Sequence, residues 1–194
     1  GSIGCFLTDK SGNNYALTAY HVVRGTRKKD YSDIGDKIES PPTSGELLGE
    51  LCWYDRSNDI ALINVDENVN IQRGSVCCFQ LKEHIGASVL EGTPVKICSG
   101  VDDIKIRCGI VISTCCVVRE NDDHPDCIFG TIQTTNLGLP GDSGSVVANM
   151  QNEAVGLLVK DKGDQCSYFM PLDILNAAIN LRLSNTQFEF EKFY

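Results

Sequence analysis

One serine of the sequence lies in a setting that suits a catalytic nucleophile. Ser143 belongs to the tetrapeptide Gly-Asp-Ser-Gly, residues 141 to 144, which stands between two apolar runs and predicts a tight turn. Glycine at 141 has no Cβ, so the backbone can bring the amides of Gly141 and Ser143 towards one point, as an oxyanion hole requires. Because turns of this composition are frequent, the tetrapeptide alone is a weak indication of catalysis.

A serine hydroxyl needs a neighbouring base that removes its proton, and that base needs a carboxylate that orients it. Of the three histidines, His84 in LKEHIG and His124 in NDDHPD lie in polar, loop-like segments. His21 instead lies in LTAYHVV, at the end of an apolar segment that suits a strand. A histidine in such a segment is by default a core residue, but only there would an imidazole be held in place.

Asp59 is the acid that the sequence places before a buried-looking run, in SNDIALINV. A carboxylate directly before Ile60 would lose water, which is costly unless the carboxylate accepts hydrogen bonds from a group such as an imidazole N–H. The alternative is that Asp59 is an ordinary turn residue. The order His21, Asp59, Ser143, with separations of 38 and 84 residues, favours a catalytic set.

The ten cysteines could form a disulfide framework, but their placement favours free thiols. Cys77-Cys78 and Cys115-Cys116 are adjacent pairs in apolar runs, and neighbours on a strand point to opposite faces. Cys98 has similar β-branched surroundings. Free cysteine behaves as a small, commonly buried hydrophobe. We therefore expect mostly reduced, free cysteines in an intracellular, cytoplasmic protein.

Composition limits the classes of partner. The chain has 194 residues, of which 42% are hydrophobic and 22% charged, as in soluble globular proteins. A net charge of −9 argues against nucleic acid and against an anionic membrane surface. No apolar run approaches the ~18 to 20 residues of a membrane span. His124 and Cys127 form one H-x-x-C pair without a second pair nearby, so no metal site and no other cofactor is expected.

Short apolar or alternating runs separated by turn signals predict an all-β fold. Eleven candidate strands exceed one small sandwich and suit two β-barrels. The candidates are Ile3–Thr8, Tyr15–Thr18, Leu47–Tyr54, Ile60–Val65, Ser75–Leu81, Pro94–Ser99, Ile106–Val118, Ile128–Thr134, Ser145–Asn149, Ala154–Lys160 and Ser167–Met170. One helix is predicted from Asp173, which can cap it, to about Leu181. Residues 24–46 are expected to form a solvated loop, with a substrate-contacting loop as the alternative.

The three motifs together resemble those of the chymotrypsin-like (trypsin-fold) serine peptidases, over nearly all of the chain. LTAYHVV is similar to the family's histidine motif, NDIALINV to its aspartate motif and GDSG to its serine motif, in the family's order. The resemblance is closest to HtrA-like and other intracellular trypsin-like peptidase domains, whose approach to the serine is similar to QTTNLGLPGDSG. It implies that His21 is the general base, Asp59 its orienting carboxylate and Ser143 the nucleophile. Gly141 and Ser143 would supply the oxyanion hole.

The resemblance also implies an all-β fold of two six-stranded β-barrels with the active site in the cleft between them, followed by a C-terminal helix. Residues 1–194 are then one peptidase domain. Its parts are an N-terminal barrel (1–90), a C-terminal barrel (91–171), the helix (172–183) and a tail (184–194).

Several departures from the family pattern bear on how the site is built. Secreted members carry a cysteine directly after the histidine, where this chain has Val22. The family's Ile-Val-Gly-Gly start is absent, so Asp142 needs a partner other than a new N-terminus, or simply caps the turn. A strand normally precedes Ile3 in this fold. We expect it to come from an upstream or partner segment, or from the alternating tail with Phe188 and Phe190, because an open sheet edge invites another strand.

By the same resemblance, the pocket for the side chain before the cleaved bond lies beside the strand that follows the serine. Its predicted residues are Leu137, Gly138, Leu158, Val159, Lys160 and Ser167. With Leu137 and no acid at the base, we expect apolar side chains to bind there rather than arginine or lysine. Lys160 favouring an acidic side chain is the alternative. If aromatic side chains bind, Tyr194 at the chain end would fit self-cleavage.

These observations predict a serine endopeptidase that cleaves a protein or peptide substrate after an apolar residue, in a regulatory or self-processing role. The alternative is a binding or scaffold module of the same fold, with a latent or inactive triad.

Overall fold

The computed structural model describes residues 1–9, 11–24, 33–40, 45–71, 75–76, 78–82, 88–100, 103–119, 127–183 and 190–193. Fourteen strands and two helices are found there, and most strands match the predicted ones within two residues. In chain order they are β1 (Cys5–Asp9), β2 (Asn14–Ala19), α1 (Tyr20–Val23), β3 (Lys37–Glu39), β4 (Leu47–Asp55), β5 (Ile60–Val65), β6 (Ser75–Val76), β7 (Phe79–Gln80), β8 (Pro94–Ser99), β9 (Lys105–Arg119), β10 (Cys127–Thr134), β11 (Val146–Asn149), β12 (Ala154–Asp161), β13 (Ser167–Pro171), α2 (Leu172–Leu183) and β14 (Phe190–Phe193).

The strands form two β units of six strands each. In the first unit they lie in the order β14-β1-β2-β5-β4-β3, and the second is a closed barrel in the order β10-β13-β12-β11-β8-β9. The predicted all-β fold with two barrel-like units and a C-terminal helix is confirmed. No helix of the described part of the chain has the length and apolar character needed to cross a membrane.

A shared hydrophobic core holds the two units together. One cluster of buried side chains contains Leu17 and Ile60 from the first unit together with Leu157 and Met170 from the barrel. Leu175 of α2 belongs to the same cluster, so the C-terminal helix closes this core. Burying these side chains between the units fixes their relative position, which a site in the cleft between them requires.

The two strands nearest the candidate histidine and aspartate lie at the centre of the first unit. All residues of β2 after Asn14 are buried, and so are the first four of β5, which accounts for their nearly continuous apolar sequences. They pair antiparallel, with Ala19 opposite Ile60. This register places the residues after Ala19 next to the residue before Ile60.

The C-terminal tail supplies the outer strand of the first unit. β14 pairs antiparallel with β1, and its register places Phe193 opposite Leu7 and Lys192 opposite Thr8. The prediction that the tail fills the open edge of this sheet is confirmed. Phe188, also considered for this role, lies outside the described residues.

Two local predictions were wrong. The single strand predicted over Ser75–Leu81 is a tight hairpin, in which β6 pairs with β7. β3 was missed within the predicted loop because three residues are too few to show an alternating pattern. The strand predicted over Tyr15–Thr18 is confirmed as part of β2, and His21 follows it in the four-residue helix α1.

The prediction of free thiols is wrong for two cysteines. Cys78 and Cys98 form a disulfide, with their Cα atoms 5.6 Å apart, because the β6–β7 hairpin brings Cys78 against β8. The other seven described cysteines are free, namely Cys5, Cys52, Cys108, Cys115, Cys116, Cys127 and Cys166. Burial raises the pKa of the Cys5 thiol to about 12 and is the main cause that raises that of Cys52 to about 11, so both are neutral at physiological pH.

Candidate active site

His21 and Asp59 are joined by two hydrogen bonds. The ring atom Nδ1 of His21 lies 2.7 Å from Oδ2 of Asp59, and the backbone N–H of His21 donates to Oδ1 at 2.9 Å. The backbone N–H of Tyr20 donates to the carbonyl of Asp59 at 3.0 Å. Asp59 is thus fixed against the first turn of α1 from both its side chain and its backbone.

This contact sets the chemistry of the imidazole. A carboxylate only accepts hydrogen bonds, so Nδ1 of His21 carries the proton and, in the neutral ring, Nε2 keeps its lone pair. The side chain of Asp59 is 5% exposed, whereas that of His21 is 25% exposed, so the free edge of the ring can reach a substrate. The arrangement orients a general base.

The backbone of Asp59 lies in the left-handed region, with φ of 53°. Aspartate and asparagine tolerate this region better than other non-glycine residues, but a cost of about 1 to 3 kcal/mol is typical of such sites. The conformation occurs at the one residue between the β4–β5 turn and the buried strand β5. It turns the carboxylate back onto His21, which the sequence did not reveal.

A stack of side chains supports the turn before Asp59. The rings of Tyr20 and Tyr54 lie with their centroids 4.5 Å apart, and the Arg56 guanidinium carbon is 5.7 Å from each centroid. Since Tyr20 precedes His21 and Arg56 belongs to the turn, the stack links the two segments that carry the pair.

Ser143 lies on the turn that leads into β11. Gly141 and Gly144 flank it with φ of 112° and 93°, a region that glycine adopts without strain. Asp142 is fully buried and accepts from the hydroxyl of Ser99, at 3.0 and 2.8 Å to its two oxygens. It also accepts from the backbone N–H of Leu139 at 2.9 Å, so it has a partner other than an N-terminus and caps the turn as well.

The backbone amides of the predicted oxyanion hole donate to no acceptor in the described part of the chain. Among the residues that the structure describes, none accepts a hydrogen bond from the N–H of Gly141 or of Ser143. The neighbouring amide of Asp142 donates to the carbonyl of Leu139 at 2.9 Å, which keeps it out of the turn's open side. Two N–H groups are therefore available to an anionic oxygen.

Ser2 connects the serine turn to β2, the strand that precedes the histidine. Its N–H donates to the carbonyl of Ser143 at 2.7 Å, and its hydroxyl donates to that of Gly141 at 3.3 Å. Its own carbonyl accepts from the hydroxyl of Thr18 at 2.7 Å. Thr18 lies on β2, three residues before His21, so one residue joins both halves of the candidate site.

The structure does not join Ser143 to His21 directly. No hydrogen bond between the Ser143 hydroxyl and the His21 ring is present in the described part of the chain. In unliganded enzymes such catalytic hydrogen bonds are often long and tighten when substrate binds.

The predicted substrate pocket is closely packed. Leu137 and Leu158 have no exposed surface and belong to the barrel core, and Gly138, Val159 and Ser167 are also buried. A Cβ at position 138 would lie 2.7 Å from Cδ2 of Leu158. Only Lys160 is partly exposed, and its ammonium donates to the carbonyl of Arg119 at 2.5 Å.

Asp161 is a residue of this region that the sequence analysis missed. Its Oδ1 accepts from the hydroxyl of Ser167 at 2.8 Å. The Ser167 oxygen in turn accepts from the amides of Leu137 and Gly138, at 2.9 and 3.1 Å. This contact is seen only in the register of β12 and β13, which pairs Asp161 with Ser167. The sequence alone does not reveal that register.

The described residues contain no group of three or more His, Cys, Asp or Glu side chains that could hold a metal ion. His84 and His124 lie outside those residues. Of the three histidines, His21 is the one whose contacts the structure defines.

Comparisons with known proteins agree with this architecture. A family model described as a trypsin-like peptidase domain matches residues 3–157. No curated protein matches the chain. Chymotrypsin from Cellulomonas bogoriensis has a similar structure, with a TM-score of 0.68 at 21% identity over 92% of this chain and 87% of that one. Protease A from Thermobifida fusca is similar with a TM-score of 0.69 at 19% identity, over 92% and 88% of the two chains.

Proposed function

The chain belongs to the trypsin-like peptidase family, and from that premise we propose that Ser143, His21 and Asp59 hydrolyse peptide bonds through an acyl-enzyme. The family membership makes the protein a serine endopeptidase with protein or peptide substrates. The observation that carries the assignment of residues is the pair of hydrogen bonds between His21 and Asp59. It orients a base of the kind that a serine hydroxyl requires.

In the proposed reaction, the Ser143 hydroxyl oxygen attacks the carbonyl carbon while Nε2 of His21 takes its proton. The amides of Gly141 and Ser143 stabilise the oxyanion that forms. The C–N bond then breaks as His21 gives the proton to the leaving amine. Water, deprotonated by His21, releases the acyl group and restores the serine. Asp59 stabilises the imidazolium at both steps and stays ionised.

We further propose a narrow, apolar preference for the residue before the cleaved bond. The support is the packing of Leu158 against Gly138 and the buried apolar side chain of Leu137, which leave little room at the base. A narrow pocket restricts the number of substrates, which suits a regulatory or self-processing role. Among the described cysteines, seven are free and two form the Cys78–Cys98 disulfide, and this majority of free thiols supports an intracellular location.

A fluorophosphonate probe tests the catalytic assignment, because it reacts with an activated serine. The expected result is labelling of the wild type and none of Ser143→Ala or His21→Ala. Ser145→Ala is the matched control, since Ser145 is a buried serine two residues away and should leave labelling unchanged. Labelling of Ser143→Ala would contradict the assignment.

A peptide library measures the preference for the residue before the cleaved bond. Efficient cleavage after arginine or lysine would contradict an apolar pocket.

A second candidate is a binding module with a latent triad. It is favoured by one observation, the missing hydrogen bond between Ser143 and His21 among the described contacts. Absence of labelling in the folded wild type, with and without peptide substrate, would favour this candidate.

A further inference from the structure

The outer face of β9, together with Ile104 directly before it, carries a continuous line of apolar side chains. Its members are the alternate residues Ile104, Ile106, Cys108, Ile110 and Ile112, here named the β9 stripe. The four isoleucines are 68%, 47%, 51% and 46% exposed, and Cys108 is an exposed free thiol. Of the residues between them, Gly109 and Val111 are buried, which shows that this part of the stripe lies on the outside of the closed barrel, whereas Lys105 is exposed and Arg107 is half-buried.

Such a line is unusual for the solvent side of an antiparallel sheet. Outward positions of these sheets are normally polar, and exposed hydrophobic residues normally occur singly. Here five successive outward positions hold no polar or charged side chain, in a chain with a net charge of −9. At ~3.4 Å per residue the stripe is about 27 Å long. Contiguous exposed apolar surface of this kind marks an interaction site.

We propose that the β9 stripe is the contact surface between two copies of this chain. Around Cys108 the same residue type recurs at equal distances on both sides, two positions away at Ile106 and Ile110 and four positions away at Ile104 and Ile112. The stripe is therefore the same in both directions along the strand.

That symmetry is what a two-fold dimer needs. In such a dimer, a residue i that contacts j of the other copy must be matched by j contacting i. A two-fold axis that lies in the interface and crosses the strand at right angles at Cys108 satisfies this condition. It places Ile106 against the partner subunit's Ile110 and Ile104 against the partner subunit's Ile112. A partner of different sequence would not require the residues of the stripe to be symmetric about Cys108.

The length of the stripe agrees with this occupant. A standard interface buries about 800 Å² on each partner, a patch about 28 Å across in each direction. The stripe spans this distance along the strand, and the rest of the area must come from neighbouring strands. The exposed side chains of Pro94, which pairs with Ile110, and of Val117 and Phe129, which pair with each other, add apolar surface on the same barrel.

The net charge determines how the dimer responds to salt. Two chains of charge −9 repel each other, and this repulsion is screened as ionic strength rises, whereas contact between isoleucines is not weakened. The dissociation constant of the dimer is therefore expected to fall as salt is added. An interface built on ion pairs would show the opposite trend.

Sedimentation analysis over a range of protein and salt concentrations tests the proposal. The expected result is a monomer–dimer equilibrium that shifts towards the dimer with salt. Ile106→Glu and Ile110→Glu should each raise the dissociation constant at least tenfold, because each places two charges in the interface. Met150→Glu is the matched control, since Met150 is 48% exposed on the β11–β12 turn. Circular dichroism confirms that each variant is folded.

Cross-linking provides a second readout that does not depend on disruptive variants. Sheets that pack face to face lie about 10 Å apart, too far for a disulfide between the two Cys108 residues, but within reach of a short bismaleimide. The reagent should give a covalent dimer that is lost in Cys108→Ser and retained in Cys115→Ser, an exposed free cysteine on the same strand. A monomer at every concentration and salt level would overturn the proposal and leave the stripe to a partner of different sequence. A dimer that persists unchanged in the folded Ile106→Glu variant, or that cross-links through Cys115, would overturn it as well.

Discussion

At the scale of single residues, the site depends on the way one strained aspartate holds one histidine. Asp59 uses both carboxylate oxygens on His21, one for the backbone N–H and one for the ring. The backbone of Asp59 lies in the left-handed region. The hydrogen bonds of its carboxylate offset the cost of that conformation.

Asp59→Asn should therefore lower kcat strongly while the protein stays folded. The amide can donate to Nδ1 of His21, which moves the ring proton to Nε2 and removes the lone pair that accepts the serine proton. In a serine protease with the corresponding triad, this change lowers kcat by about 10⁴-fold. Initial rates on a peptide substrate and a thermal melt measure the two effects. Asp55→Asn is the control, because Asp55 lies in the same turn but accepts from Ser57 and Asn58. Equal losses in both variants would contradict the specific role of Asp59.

The histidine and aspartate of this pair were found from the sequence because their neighbours are informative. Ile60 and the residues after it are apolar and fully buried, so the acid before them stands out. The contacts of Asp142 and Asp161 could not be predicted in the same way. Ser99 is 43 residues from Asp142, and Ser167 faces Asp161 through a strand register that depends on the turn between them.

At the scale of elements, the β1–β2 turn contains a carboxylate whose titration should affect stability. The pKa of Asp9 is below its ordinary value of 3.8. Burial alone would raise the pKa, but hydrogen bonds from Asn13 and Tyr15 to the carboxylate lower it by more. The folded state therefore binds this proton less readily than the unfolded chain does.

The sign of the pH effect follows from this depressed pKa. The contribution of Asp9 to stability is complete above pH 3.8 and is lost as the pH falls through the lower, folded-state pKa. Thermal melts between pH 2 and pH 6 should show a smaller loss of stability on acidification in Asp9→Asn than in the wild type. Identical pH dependence in the two proteins would contradict the role of Asp9.

The tail strand β14 was predicted from a missing neighbour together with its own alternating pattern. β1 needs a partner on its outer edge, and the alternating residues 187–194 suited that place. The β6–β7 hairpin shows the limit of such patterns. Residues 76–79 are all apolar, and only the pairing of Ser75 with Gln80 and of Val76 with Phe79 shows that the chain reverses there.

Deletion of residues 190–194 should destabilise the protein and promote its association. Without β14, the backbone groups of β1 that pair with it are left open at the sheet edge, which can recruit strands from other molecules. For a domain of this size, each ~1 kcal/mol lost lowers Tm by about 2–4 °C. A thermal melt and light scattering measure the two effects. Removal of Tyr194 alone is the control, and an equal change in both truncations would contradict the contribution of the paired strand.

At the scale of the whole molecule, the two β units must bring groups from different parts of the chain together. The histidine and aspartate belong to the first unit, and the serine turn belongs to the barrel. The core shared by the units sets their position to the precision of side-chain packing. Ser2 adds a polar connection directly beside the site, from the serine turn to Thr18.

Thr18→Val tests whether this connection matters for catalysis. Valine has a similar shape but cannot donate to the Ser2 carbonyl, so this partly buried acceptor loses its partner. The free energy of unfolding should fall by about 1–3 kcal/mol. The rate of acylation of Ser143 should fall as well, because the serine turn is no longer tied to β2, the strand that leads to His21. Stopped-flow labelling by a fluorophosphonate, together with denaturant unfolding, measures both quantities.

Thr18→Ser separates this effect from packing, because serine keeps the hydroxyl and loses only the methyl group. Acylation should be close to wild type in Thr18→Ser and reduced in Thr18→Val, even where the two variants lose similar stability. The close approach of the chain at Gly144 leaves the serine turn little freedom to move relative to β2. A Cβ there would lie 2.6 Å from Oγ1 of Thr18, so the turn and the strand are already in close approach. If acylation follows stability alone in both variants, the two units are positioned by their apolar core and Ser2 has no part in the site.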